Sequence, residues 1–194
     1  MQILREIFTI SNLLSLSRLL ISIPAYILLG KLSESPDYKI ALVILFIVAA
    51  ATDFLDGYFA RKLNQITETG KIIDPLADKI LVGVIVLRLF WLNMIPDYYF
   101  YSVIGRDVLI FIGGIWITKK IGKVLPSNLL GKITVTFIAL YLFAAMLQIE
   151  NSLAVVYNLL LYISLALIIS SLIGYIIRAK ESLIWNKNES VQEH

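Results

Sequence analysis

Long apolar runs separated by short polar connectors make up almost the whole chain. Runs at about 11–31, 38–60, 70–92, 98–118, 129–149 and 153–177 each approach the roughly 20 residues that a helix needs to cross a bilayer. The connectors carry the usual punctuation: GKLSESPDYK at 30–39, NMIPDY at 93–98 and KKIGKVLPSN at 119–128. The runs lack the period-two alternation of barrel strands. A backbone in lipid must satisfy its own hydrogen bonds, which leaves helices. No repeat, linker or low-complexity block divides the chain. The expected fold is therefore all-α: a polytopic membrane protein of about six transmembrane helices, with residues 1–194 as one domain and a polar tail frayed from about Glu181.

Composition agrees with that class. Hydrophobic residues make up 59% and charged residues 16% of the 194, against about 25% charged in a typical soluble domain. The mean hydropathy is +0.83. With no cysteine, there are no disulfides, thiolate metal sites or cysteine nucleophiles. The one histidine is His194 at the end of the chain, so any chemistry falls to carboxylates, Lys, Arg, Ser, Thr and Tyr. The opening MQILREIFTI lacks the pattern of a cleaved signal.

Charge placement suggests orientation. Arg5, Arg61, Lys62, Lys71, Lys119, Lys120, Lys123, Lys132, Arg178, Lys180 and Lys187 fall on one side of the expected spans. Lys31, Lys39 and Arg88 fall on the other. The positive-inside rule then puts both termini and the 61–71 connector in the cytoplasm, with the protein in the inner or plasma membrane. A net charge of +3 needs no nucleic acid to explain it, because basic loops beside anionic headgroups suffice.

The stretch DFLDGYFARKLNQITETGKIIDPLAD at 53–78 stands out against this background. Asp53 and Asp56 are three apart and share a face of the second helix; Asp74 and Asp78 are four apart and share a face of the third. A short connector makes the two helices antiparallel neighbours, which gathers four carboxylates near the cytoplasmic surface. A charge in the membrane interior costs roughly 2.5–3.5 kcal/mol on insertion scales, so the cluster needs a counter-charge. Two divalent cations would supply it. Mg²⁺ and Mn²⁺ take oxygen ligands, and paired ions suit in-line displacement at phosphorus. Gly57 and Ala60 leave a bare patch where a flat ligand can lie. Singly, each aspartate reads more readily as a helix cap or a solvated loop residue, Asp74 before Pro75 above all. Four at this spacing do not.

These residues resemble the signature of the CDP-alcohol phosphotransferase family, D-x2-D-G-x2-A-R-x8-G-x3-D-x3-D, at every fixed position: Asp53, Asp56, Gly57, Ala60, Arg61, Gly70, Asp74 and Asp78. Asn12 and Arg18 resemble the family's N-terminal pattern. The resemblance implies that Asp53, Asp56 and Asp74 bind two divalent metals, with Asp78 metal-associated and the catalytic base. It implies that Gly57 and Ala60 accommodate the cytidine of CDP-diacylglycerol, with Asp56, Arg61 and Gly70 also on the CDP-lipid. It further implies a homodimer whose product is a phospholipid with a headgroup in place of CMP.

Acceptor residues are less marked. Lys132, beside Ser127 at the start of the fifth helix, reads equally as a phosphate ligand and as a positive-inside anchor. Arg106 in GRDVLIFIGG reads as an acceptor ligand, as a snorkelling side chain or as the partner of Asp107. Arg18 is a third candidate. Lys119, Lys120 and Lys123 read as solvated or lipid-facing, and Tyr98, Tyr99, Phe100 and Tyr101 as an interfacial aromatic belt. NLLSLSRLL and the aspartate stretch resemble phosphatidylglycerophosphate synthases, so glycerol 3-phosphate is the expected acceptor. Those enzymes commonly carry Arg-Glu followed by Thr-Gly-Leu-Arg in the fourth helix; the Arg-Asp here is more like cardiolipin synthases, which use phosphatidylglycerol. A divalent-cation transporter is the alternative of another class, and would spread its carboxylates through the membrane depth.

Overall fold

The computed structural model describes residues 10–62, 70–121 and 129–192, with side chains at 17, 19–52, 55, 79–121 and 129–184. Among the described residues the chain is entirely helical: α1 (Ile10–Gly30), α2 (Pro36–Lys62), α3 (Gly70–Trp91), α4 (Asp97–Ile121), α5 (Leu129–Met146) and α6 (Ala154–Gln192). These follow the six apolar runs. Three of them, spanning Asp97–Ile121, Leu129–Met146 and Ala154–Ile184, are long and apolar enough to cross a membrane, and Leu19–Gly30 is a shorter apolar segment. The chain is a helical integral membrane protein.

Local chemistry sets the helix ends. Ser35 caps α2, its Oγ accepting the Asp37 N–H at 3.2 Å. Pro36 at the first helical position and Asp37 in the first turn complete the start signal. At the end of α3 the Met94 N–H donates to the Leu89 carbonyl at 2.9 Å and the Asn93 N–H to Phe90 at 2.9 Å. The end of α5 repeats the pattern, with Ile149 on Ala144 at 3.4 Å and Gln148 on Ala145 at 3.0 Å. Both closures need a left-handed residue, and Asn93 (φ 54°) and Gln148 (φ 56°) take that conformation without being glycine.

The helices form two compact units, Met1–Met94 and Ile95–His194. In the first, α1 packs against both α2 and α3, burying Ala25, Leu29, Leu42, Val86 and Leu89. The expected pairing of α2 with α3 falls on residues 53–62 and 70–78, whose side chains, apart from that at 55, lie outside the described residues. In the second unit α6 packs against α4 and α5. Thr134 stitches α5 to α6: its Oγ1 lies 2.7 Å from the Leu130 carbonyl and 3.2 Å from that of Leu167.

One expectation is corrected here. Tyr99 is no part of an interfacial belt. It is fully buried, its ring 4.3 Å from that of Tyr141, whose hydroxyl lies 2.8 Å from that of Tyr157. Tyr99, Val103 and Arg106 stand at i, i+4 and i+7 and are all buried, whereas Tyr98 and Tyr101 lie exposed beside that face. Helix α6 runs on to Gln192. No Gly or Pro follows Gly174, and extending a formed helix incurs no nucleation cost.

Candidate active site

Asp53, Asp56, Gly57, Ala60 and Arg61 stand in the last turns of α2, and Gly70, Asp74 and Asp78 in the first turns of α3. Their side chains lie outside the described residues, as do those of Asn12 and Arg18 on α1. The backbone still decides one reading. Because α3 already runs from Gly70, Asp74 is inside the helix and is not its cap. Pro75 follows it there, past the first turn where a missing N–H is harmless, and so withdraws a bond from the helix. Gly57 sits within α2, at about 1 kcal/mol against alanine. Two helix-weakening residues thus stand beside the aspartates, and Gly83 is a third further along α3. Local rules are commonly broken this way where a ligand must be served.

The donor set fits hard divalent cations. Every candidate ligand is a carboxylate oxygen, and the pairs sit at i, i+3 and i, i+4 on two helices held by a common third, α1.

The second unit holds the other expected residues. Arg106 is 7% exposed. Its Nη1 donates to Asp107 Oδ1 at 2.6 Å and its Nε to Ser171 Oγ at 3.3 Å. Ser171 in turn donates to the Ile168 carbonyl at 2.9 Å. Of the three readings for Arg106, snorkelling is excluded and pairing with Asp107 holds. Lys132, in the first turn of α5, is exposed. Lys119 and Lys120 are exposed at the end of α4, the Lys120 Nζ lying 5.0 Å from the Trp116 ring centre; Lys123 and Ser127 lie outside the described residues.

The sequence reading passed over a polar seam on α6. Ser164, Ser171 and Tyr175 recur at seven and four residues, which is one helical face. The Tyr175 ring lies on Gly113, where an added Cβ would come within 3.1 Å of it. Its hydroxyl is buried without a hydrogen-bond partner among the described residues. That periodicity was available in the sequence, hidden by the overall apolarity of the segment.

Comparison with known proteins places the chain. Residues 8–170 match the CDP-alcohol phosphatidyltransferase family, a match that crosses from the first unit into the second. A CDP-diacylglycerol–glycerol-3-phosphate 3-phosphatidyltransferase of Aquifex aeolicus is 39% identical over 87% of this chain and 94% of its own length. The protein of the same name in Bacillus subtilis is 36% identical over 65% of this chain and 70% of its own length. A human cardiolipin synthase (CMP-forming) is 40% identical, over 53% of this chain and 33% of its own length. With a family match over most of its length, and the aspartate stretch carried by two helices of its first unit, the chain belongs to the CDP-alcohol phosphatidyltransferase family.

Proposed function

We propose that this protein transfers a phosphatidyl group from CDP-diacylglycerol to glycerol 3-phosphate, releasing CMP and giving phosphatidylglycerophosphate. The observation that carries the acceptor is coverage. The Aquifex relative named for glycerol 3-phosphate aligns over 87% of the chain, whereas the human cardiolipin synthase aligns over 53% at nearly the same identity. An aspartate stretch common to the family cannot select an acceptor, so likeness over the rest of the chain weighs more.

In this reading Asp53, Asp56, Asp74 and Asp78 hold two divalent ions, Mg²⁺ or Mn²⁺. When bound, the ions supply the positive charge that a diphosphate and a departing CMP require. Gly57 and Ala60 give the cytidine room, with Arg61 and Gly70 at the CDP-lipid phosphates. Asp78 takes the proton from the acceptor hydroxyl as its oxygen bonds to the phosphatidyl phosphorus and the diphosphate P–O bond breaks. Lys132 and Arg18 bring cationic charge to the acceptor phosphate. Arg106 enters only through donors left over from Asp107 and Ser171. The site faces the cytoplasm, on the side rich in Lys and Arg, and the enzyme works as a homodimer.

The transporter alternative fares poorly. Between Tyr98 and Ile177 the membrane helices contain one carboxylate, Asp107, and it is bonded to Arg106. The deciding experiment gives purified protein CDP-diacylglycerol, Mn²⁺ and, separately, glycerol 3-phosphate, phosphatidylglycerol, serine or an inositol phosphate, and measures CMP. We expect release with glycerol 3-phosphate. Release with phosphatidylglycerol alone would replace this reading with cardiolipin synthesis; no release with any acceptor, alongside metal flux in liposomes, would move the protein to the transporter class.

A further inference from the structure

Arg88 lies near the end of α3 remote from Asp74 and Asp78, roughly 21 Å along the axis from Asp74 at 1.5 Å per residue. Its guanidinium crosses to α1. Nη1 donates to the Tyr26 hydroxyl at 3.3 Å, and the guanidinium carbon stands 4.3 Å from the centre of the Tyr26 ring. Nη2 occupies the place a Cβ would take at Gly30, the last residue of α1. Nε is buried without a hydrogen-bond partner among the described residues. Among the described residues the group makes no ion pair. The nearby acids in sequence, Glu34 and Asp37, are exposed.

A half-buried cation between apolar helices needs a counter-charge. The Tyr26 face contributes part of it, and the C-terminal dipole of α1 contributes the equivalent of about half a negative charge. Together they fall short, and one hydrogen bond leaves most of the five guanidinium N–H donors unused. Trp91, exposed one turn beyond Arg88, marks the level of a membrane interface. The anion abundant at that level is phosphate, which suits the guanidinium fork. On α1, Leu20, Ile23 and Ile27 are exposed and stand at i, i+3 and i+7; the next position of that stripe is Gly30. An apolar track therefore leads along the helix to the guanidinium.

We propose that Arg88, held across the Tyr26 ring beside the C-terminal end of α1, seats the phosphate of a membrane phospholipid, whose acyl chain lies along Leu20, Ile23 and Ile27. Lys31, directly after Gly30, adds a second cation at the same helix end. The seat is separate from the substrate site, because it lies at the other end of α3. Free phosphate shares the headgroup chemistry, but not the apolar track.

Native mass spectrometry of the full-length protein in detergent, titrated with phosphatidylglycerol, tests this. Wild type should retain one lipid more than Arg88→Gln, whose affinity for that lipid falls about tenfold, or roughly 1.4 kcal/mol. Tyr26→Phe, which keeps the cation and the ring, should retain the lipid. Inorganic phosphate at matched concentration should not raise the thermal midpoint as the lipid does. Equal lipid retention by Arg88→Gln overturns the proposal, and equal protection by inorganic phosphate reduces the seat to a free-anion site. CMP release reports whether each variant is folded. If Arg88→Gln does not fold, Gly30→Ala decides: it displaces the guanidinium in a helix-favouring way, and wild-type lipid retention by it would refute the seat.

Discussion

Asp78 has a neighbourhood that favours a chemical role over a capping one. It stands inside α3, two turns from Gly70, with Asp74 and Pro75 on the turn before. The chain has no histidine that could relay a proton from within a helix. Asp78→Asn keeps the volume and removes the base, so kcat should fall by about 10²–10⁴-fold while CDP-lipid binding changes little; a variant keeping most of the wild-type rate would take Asp78 out of that role. Asp53→Asn should abolish the Mg²⁺- or Mn²⁺-dependent activity, and survival of that dependence would refute the two-metal site. Arg106 also bears on stability. Replacing it with leucine strands Asp107 and leaves Ser171 without its donor, which should cost about 1–3 kcal/mol in thermal or denaturant unfolding. Replacing Arg106 and Asp107 together with leucines should recover much of that loss, since an apolar pair of similar bulk satisfies the same space. No recovery would mean that Arg106 stabilises through something other than its ion pair.

At the level of the helix, two closures carry avoidable strain. Gln148 holds a left-handed conformation at the end of α5, and Asn93 does so at the end of α3. Asparagine tolerates that region and glutamine does so less well, while glycine adopts it freely. Gln148→Gly should therefore raise stability by about 0.5–1 kcal/mol after the entropy of a freer unfolded chain is counted, and Asn93→Gly by less. Destabilisation by Gln148→Gly, measured as a lower melting midpoint in detergent, would mean that the glutamine side chain makes a compensating contact. The same two positions show what a hydropathy reading misses. Apolar runs locate helices, yet NMIP and LQIE end theirs through backbone geometry that no glycine advertises.

For the whole molecule, much was legible because lipid simplifies the code. Twenty apolar residues without alternation can only be a helix, so five of the six helices stood within about three residues of their expected bounds, the sixth running on past 177 to Gln192, and the aspartate spacing pointed to the family unaided. Packing was less legible. Tyr99 and Tyr101 are two residues apart in one aromatic run, yet one is fully buried and the other exposed. In a segment apolar all round, hydrophobicity no longer marks the inward face. Burial is fixed instead by polar contacts such as Tyr141 with Tyr157 and Arg106 with Ser171. Charge, by contrast, remains informative across the whole chain, because translocating Lys and Arg is costly whatever the helices pack against. The connectors around Arg61, Lys119 and Lys132 carry most of it, whereas those around Lys31 and Lys39 carry little. That asymmetry predicts that the connector joining the two aspartate helices faces the cytoplasm. The chain is free of cysteine, so single cysteines can be introduced without background. Gln65→Cys should react with an impermeant thiol reagent only from the cytoplasmic side of sealed vesicles, and Ser33→Cys only from the opposite side. Labelling of the Gln65 variant from outside alone would invert the topology and place the aspartates on the side opposite the one the charge asymmetry predicts.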